Sequence, residues 1–290
     1  MITQLFRTGA ATLGALCLAT GLFAQSPKIN FPDASPAGTV IQHVGLTDIQ
    51  INYNRPGAKG RKVFGNLVPY DHVWRTGANT ATKISFSTPV KLNGTDIPAG
   101  TYELFTIPGT SEWTVIIHKN MSQWGAYSYE QKNDIARIKA RPVALAHHVE
   151  TLTIDLNDLR DESATLNIAW EKVVVPVSLT VDVKSTLVPQ LEAIMPTGGD
   201  KLPYARAAMY YLENNLDLTK AAAWMDAAIA AQPDAFHLVY RKALILEAQG
   251  DKAGAIATAK KSMEAAKQAS SPSLKEEYVH LNQAILDRLK

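Results

Sequence analysis

The chain has 290 residues, of which 29 are basic, 27 are acidic and 46% are hydrophobic. That length predicts two domains, and the hydrophobic content lets each of them bury a core. The near balance of charge argues against a basic stripe that would hold nucleic acid, so no nucleic-acid partner is expected.

The first 24 residues have the composition of a secretory signal. Arg7 is the only charged residue before Lys28, and residues 8–24 are apolar or small. A short positive start, an apolar stretch and a small residue at the exit are typical of an export signal. We expect cleavage after Ala24, a periplasmic or secreted protein, and no transmembrane segment in the mature chain.

The single cysteine, Cys17, lies inside this signal. A mature chain without thiols has no disulfides, thiolate metal sites, iron–sulfur clusters or cysteine nucleophiles. The histidines show no zinc-ligand spacing, and the sequence has no dinucleotide or Walker motif. We therefore expect neither a metal nor a cofactor.

Residues 25–38 are rich in proline, serine and small side chains and are predicted to be a flexible lead. Across residues 39–184 apolar side chains mostly alternate with polar ones, which is typical of strands that bury one face. Turns such as Asn93-Gly94 separate these strands with no helix between them, which predicts an antiparallel, sandwich-like domain. Residues 119–148 break the alternation, and residues 129–139 within them are predicted to form a short helix.

After residue 184 the periodicity changes. Residues 185–202 are predicted to be the linker, and residues 203–290 have a helical composition. Small or apolar residues recur there in pairs 34 residues apart, the period of tetratricopeptide helix hairpins. These pairs are Leu212 and Leu246, Ala221 and Ala255, Met225 and Ala259, and Ala228 and Ser262. About two repeats and a cap are predicted, with helices near 203–214, 217–231, 235–249, 252–269 and 273–289.

The densest group of polar and aromatic side chains lies in residues 53–79. Arginine offers planar donors for a carboxylate or phosphate, tryptophan offers a face for a sugar ring, and glycine lets a ligand approach the backbone. The candidate ligand-binding residues are Arg55, Arg61, Trp74, Arg75 and Asn79. The alternative is that the arginines hold a long loop in place by pairing with acidic groups and carbonyls.

A second aromatic group lies between residues 124 and 129 and adds Trp124 and Tyr127 to the candidates. Strand alternation sends neighbouring side chains to opposite faces, so we expect some of these rings to be exposed. They would close the site or form a platform for a glycan. The alternative is a plug over an open end of the sandwich.

Several short strings carry a family resemblance. They are YNRP at 53–56, GRKVFG at 60–65, LVPY at 67–70, VWRTGAN at 73–79 and PAGTY at 98–102. On these strings, residues 35–183 resemble the DUF2911 family of secreted bacterial proteins. The resemblance implies an exported domain, often followed by a helical repeat tail. It implies no reaction, because the family has no established function. Asp71, where the family often has glycine, is a departure in a turn.

The predicted fold is α+β in two parts, an N-terminal antiparallel β domain and a C-terminal tetratricopeptide-like helical array. The leading interpretation is an exported protein that binds a glycan or an envelope protein. One alternative is an envelope hydrolase with a site near residues 53–79, for which His72, His118 and Glu103 are the groups to inspect. No catalytic residue is assigned. Another alternative is a structural scaffold that acts through the helical repeats.

Overall fold

The structure is a computed structural model that describes residues 30–119, 122–199 and 201–290. The predicted signal and the first part of the predicted lead lie outside these residues. Within them, ten strands are followed by six α-helices. The strands are β1 (Ala37–Val44), β2 (Thr47–Asn54), β3 (Thr82–Phe86), β4 (Val90–Leu92), β5 (Thr95–Ile97), β6 (Gly100–Ile107), β7 (Trp113–Lys119), β8 (Asp134–Ala140), β9 (Val143–Asn157) and β10 (Ser163–Val181). The helices are α1 (Lys184–Ile194), α2 (Tyr204–Glu213), α3 (Leu218–Ala231), α4 (Phe236–Ala248), α5 (Lys252–Lys267) and α6 (Pro272–Arg288).

The strands form two antiparallel sheets that share one core. The larger sheet has the order β1-β2-β3-β6-β7-β8 and the smaller has the order β5-β4-β10-β9. Alternate side chains of both sheets meet between them, among them Ile51, Leu104 and Val115 from the larger sheet and Ile154 and Ile168 from the smaller. The predicted two-part fold, an antiparallel sandwich followed by helices, is confirmed.

The turn between β4 and β5 also holds the two sheets together. Asn93 and Gly94 have φ values of 44° and 81°, and Leu92 pairs with Thr95 across them. Such a turn needs positive φ at both central positions, which asparagine and glycine tolerate best. The Asn93 side chain donates to the carbonyl oxygen of Lys139 at 2.9 Å, and Lys139 belongs to the other sheet.

The predicted helix over residues 129–139 is wrong. Gln131–Asn133 form a single 3-10 turn, and β8 follows it and pairs with β7. The side chains of Ala136, Ile138 and Ala140 are buried, and the residues between them are exposed. Because two of the three inward residues are alanines, which favour helices, the sequence carries only a weak strand alternation here.

The strands β6 and β7 are buried on both faces. Their inner side chains join the core between the sheets, whereas Phe105 and Ile116 on the outer face pack against Ala126 and Tyr129. Ala126 and Tyr129 belong to residues 122–130, which we call the covering segment. This segment adds a partial third layer to the sandwich and carries the second aromatic group.

The five helices predicted after residue 203 are present as α2 to α6. The residues predicted as a linker also contain α1, in which Leu187 contacts both the sandwich core and the helical core. Leu191 and the following Met195 continue the same apolar face into the helical core, so this stretch is packed structure. No helix among the described residues has the length and apolar character needed to cross a membrane.

Candidate ligand-binding cleft

A cleft of about 480 Å³ lies between the long loop that follows β2 and the covering segment. It brings together four of the seven sequence candidates, Arg61, Trp74, Arg75 and Tyr127. Arg55, Asn79 and Trp124 do not line it. His72 from the same loop and Trp170 from β10 complete the polar and aromatic part of the wall.

Trp74 forms the floor of the cleft. Its ring stacks on Trp170, with centroids 5.8 Å apart and planes 19° apart, and Phe64 packs edge-on against it at 6.2 Å. Its indole N–H donates to the carbonyl oxygen of Gly77 at 3.0 Å. Only 8% of Trp74 is exposed. The ring that was predicted to stack on a ligand therefore stacks on other rings of the protein.

Arg75 is a cation that lacks a protein acceptor at its Nε atom. This atom is buried, and no hydrogen-bond acceptor reaches it within the part of the chain that the structure describes. Leaving a buried donor unsatisfied costs about 1–3 kcal/mol, and most buried polar groups are therefore bonded. The Arg75 side chain also lines the cleft, so an anion bound there would lie beside this cation.

The backbone around Arg75 is fixed from both sides. The amide of Trp74 donates to the carbonyl oxygen of Thr106 in β6 at 2.7 Å, and the amide of Thr82 donates to the carbonyl oxygen of Arg75 at 3.2 Å. Thr76 is fully buried at a φ of 52°, and its hydroxyl lies 3.1 Å from that of Thr106. The unsatisfied guanidinium is therefore carried on a rigid part of the loop.

Arg61 and His72 add positive or polar groups to the same wall. Arg61 donates to the carbonyl oxygens of Ala58 and Gly57, at 3.0 Å and 2.7 Å, and is otherwise exposed. His72 Nδ1 lies 2.7 Å from the carbonyl oxygen of Tyr70 and so carries the proton, which leaves Nε2 free to accept. The described residues that line the cleft include no carboxylate, so the wall is electropositive.

The three remaining candidates lie outside the cleft. Arg55 donates to the carbonyl oxygen of Leu152 and to the hydroxyl of Thr153, both in β9. Arg55 therefore holds the start of the long loop in place. This is the role that the alternative interpretation of the sequence gave to the arginines. Asn79 is exposed at a φ of 57° and accepts from the amide of Gly125 through its carbonyl oxygen.

The second aromatic group divides into exposed and packed rings. Trp124 and Tyr127 stack on each other at 5.8 Å, with 62% and 79% of each exposed. Tyr127 lies at the rim of the cleft, whereas Trp124 does not line it. Tyr129 is half-buried against Phe105. This packing agrees with the alternative interpretation, in which the aromatic group covers part of the sandwich. Burial and the nearby Asp134 raise the pKa of Tyr129 to about 12.

Of the groups named for a hydrolase, only His72 lines the cleft. Glu103 and His118 are directly opposed on β6 and β7, with Oε2 and Nδ1 3.5 Å apart, and both are completely buried beneath the covering segment. Sequence alone gave no sign of this pairing, because it depends on the register of the two strands. Among the described residues, no group of three histidine, cysteine or acidic side chains is placed to hold a metal ion.

Trp170 is the cleft residue that the sequence did not single out. It occupies an inward position of β10 and donates from its indole N–H to the carbonyl oxygen of Glu150 at 3.1 Å. Its place in the alternating pattern of β10 does not distinguish it from an ordinary core residue. Only the stacking on Trp74 brings it to the cleft.

Comparison with known proteins gives one match. The sequence model of a family described as a protein of unknown function (DUF2911) matches residues 35–179. No curated protein and no solved structure matches the chain. The matched region is half of the chain and contains every residue that lines the cleft, and the protein belongs to the DUF2911 family.

Proposed function

We propose that the β domain is an exported binding domain whose cleft holds a small organic anion. The buried, unsatisfied Nε of Arg75 is the observation that carries this proposal. A carboxylate or phosphate in the cleft would pair with the guanidinium of Arg75, which lines it, and bonds from a guanidinium to such groups are among the strongest in proteins. Arg61 on the same wall adds to the attraction for an anion. The proposal that the domain is exported rests on the composition of residues 1–24.

The cleft also suits an apolar or ring-shaped body attached to the anionic group. Leu67, Val68 and Pro69 line it beside the polar residues, and the exposed ring of Tyr127 stands at its rim. A volume of about 480 Å³ lies within the range of small-molecule sites. Acidic sugars and aromatic acids have both an anionic group and a ring. We therefore propose that the glycan expected from the sequence is an acidic one.

The lining supports binding over hydrolysis. General acid–base chemistry needs a titratable group within hydrogen-bond reach of the substrate, and most hydrolases use at least two groups in concert. His72 stands without a carboxylate beside it among the described lining residues, and the Glu103–His118 pair is sealed under the covering segment. The hydrolase therefore remains the weaker alternative.

The proposal is tested on residues 25–290 with sodium benzoate, glucuronate and phosphate, each beside a neutral counterpart such as benzyl alcohol or glucose. We expect at least one anion to raise the unfolding midpoint and to shift the NMR signal of the Arg75 Nε–H group. A ligand at 100 times its Kd adds about 2.7 kcal/mol to the free energy of unfolding.

The matched variants are Arg75→Met, which keeps the apolar stem of the side chain, and Arg141→Gln, which changes an exposed arginine outside the cleft. The anion effect should vanish in Arg75→Met and persist in Arg141→Gln. Persistence in both variants, or no effect of any anion on the wild type, would overturn the proposal. A large fall in the midpoint of Arg75→Met without ligand would instead make Arg75 an architectural residue.

We also propose that α2 to α6 form a tetratricopeptide-like array that presents a surface to a partner protein of the envelope. The 34-residue pairs Ala221–Ala255, Met225–Ala259 and Ala228–Ser262 support this, because all six residues are buried at corresponding places of α3 and α5. An experimental structure in which α2–α3 superposes on α4–α5 would support the repeat. Different angles between the two helices of each hairpin would contradict it.

A further inference from the structure

We propose that the buried pair Glu103–His118 is a positioning device that holds both ends of the covering segment and so fixes Tyr127 at the rim of the cleft. Neither side chain lines the cleft, so both act through the segment. The effect on ligand affinity rests on the proposed function, whereas the effect on the segment does not.

Glu103 holds the first end of the segment through both of its oxygens. The backbone amide of Gln123 donates to Oε1 at 2.7 Å, and the side-chain amide of Gln123 donates to Oε2 at 2.8 Å. Gln123 is itself buried. One residue of the segment therefore satisfies a carboxylate that no solvent reaches, and charge-assisted bonds of this kind are the stronger ones.

His118 holds the other end. Its Nε2 lies 3.3 Å from the carbonyl oxygen of Glu130, and its ring centroid lies 5.3 Å from that of Tyr129. Its Nδ1 lies 2.8 Å from the carbonyl oxygen of Lys119. Because His118 and Glu103 are opposed on neighbouring strands, two adjacent side chains hold the segment at both ends, through hydrogen bonds at residue 123 and through ring packing at residue 129.

The choice of polar side chains at these positions has a physical reason. A buried carboxylate is costly unless hydrogen bonds compensate it, and two apolar side chains would cover the same sheet face without that cost. An apolar contact, however, tolerates sliding of the segment, whereas the carboxylate is satisfied only when Gln123 stands opposite it. The pair thus selects one register of the segment on the sheet.

The register of the segment determines where Tyr127 stands. Between the two clamped ends, the amide of Gly125 donates to the carbonyl oxygen of Asn79, and Ala126 packs on the outer sheet face. The ring of Tyr127 projects from this stretch, 79% exposed and stacked on Trp124. A shift of the segment would therefore move the rim of the cleft relative to Arg75 on the opposite wall.

The test uses residues 25–290 and a swap of hydrogen-bond partners. Glu103→Leu leaves both amide donors of Gln123 without an acceptor, and Gln123→Glu places two carboxylates together. In the double variant Glu103→Gln/Gln123→Glu, the amide lies on β6 and the carboxylate on the segment, so the pairing is restored. Ile168→Val, in the core between the sheets, is the control for a general loss of stability. If Glu103→Leu does not fold, Gln123→Ala removes the side-chain bond alone.

The first readout is hydrogen exchange of the amides of Gln123, Gly125 and Tyr129, each of which is bonded in the structure. Local opening of the segment should speed their exchange at least about tenfold in each single variant while the amides of β7 stay protected. The double variant should return to the wild-type rate. Wild-type rates in the single variants, rates equal to those of Ile168→Val, or no rescue in the double variant would overturn the positioning role.

The second readout is the Kd for whichever of benzoate, glucuronate or phosphate the wild type binds. We expect it to rise about threefold to tenfold in the single variants and to recover in the double variant. Faster exchange with an unchanged Kd would overturn the link to the cleft. If the wild type binds none of the three anions, the proposed function fails, and the exchange rates alone still decide whether the pair holds the segment.

Discussion

Arg55 donates from Nε to the carbonyl oxygen of Leu152 at 3.1 Å, which ties the start of the long loop to β9. The same strand meets the loop again where the amide of Leu152 donates to the carbonyl oxygen of Pro56, at 3.0 Å, and the amide of Ala58 donates to that of Glu150, at 2.7 Å. The loop is therefore anchored to the smaller sheet where it enters the cleft, between Pro56 and Arg61.

We expect Arg55→Ala to lower the free energy of unfolding by about 1–3 kcal/mol, because it removes bonds from a charged group to Leu152 and Thr153. Binding of anions in the cleft should be unchanged. Urea unfolding with and without benzoate measures both effects. Arg160→Ala is the control, since that exposed arginine donates to the carbonyl oxygen of its neighbour Leu159. Loss of the anion effect in Arg55→Ala would place Arg55 in the site after all.

The helical part contains a buried polar link among three helices. Asn282 of α6 donates to the hydroxyl of Ser262 in α5 at 3.0 Å, and this hydroxyl donates to the carbonyl oxygen of Phe236 at the start of α4. Both side chains are completely buried. We expect Ser262→Ala and Asn282→Leu each to lower the free energy of unfolding by about 1 kcal/mol, because each removes the buried bond between the two side chains while the remaining partner keeps its own backbone acceptor.

The double variant Ser262→Ala/Asn282→Leu should cost less than the sum of the two single variants, by about 1 kcal/mol, because the bond lost in each single variant is one and the same. Urea unfolding followed by the helical circular dichroism signal measures this coupling. If the loss of stability in the double variant equals the sum of the losses in the two single variants, the two side chains do not act as one link.

Acid should weaken the helical part through His237. Burial and the nearby Arg241 lower the pKa of His237 below its ordinary value. The folded state therefore binds this proton less readily than the unfolded chain does. Its contribution to stability is present above the ordinary pKa of about 6.5 and is lost as the pH falls from there toward the lowered value.

An NMR titration of the His237 ring signals gives its pKa directly. The Arg241→Gln variant should raise that pKa, and His237→Gln should remove this part of the pH dependence of unfolding. A pKa at or above the ordinary value in the wild type would contradict the prediction.

The elements that the sequence predicted well depend on local patterns. The hairpin at Asn93-Gly94 and the helices after residue 203 are set by residues close together in the chain. The strand β8 escaped prediction because its buried positions include Ala136 and Ala140, whose small side chains give little alternation. The helix α1 escaped prediction because residues 185–202 were assigned as a whole to the linker, although α1 occupies most of them.

The site was predictable only in part. Arg61, Trp74 and Arg75 meet because one loop carries them, which the sequence shows directly. Arg55 and Arg75 have the same chemistry, and only their surroundings in the fold distinguish them: Arg55 is bonded to a β9 carbonyl, whereas Arg75 lines the cleft. The Glu103–His118 pair was beyond prediction because it requires the register of β6 on β7 and a segment from elsewhere to cover it.

The course of β10 sets the order in which the β domain is completed. Its first half pairs with the adjacent β9, whereas its last residue, Val181, pairs with Val90 of β4. Contacts between residues so distant in the chain form slowly, and a nascent chain emerges from its N-terminus. During synthesis the larger sheet can therefore assemble while its apolar inner face still lacks a cover. That face stays open to aggregation until β10 has been made, immediately before the first helix begins.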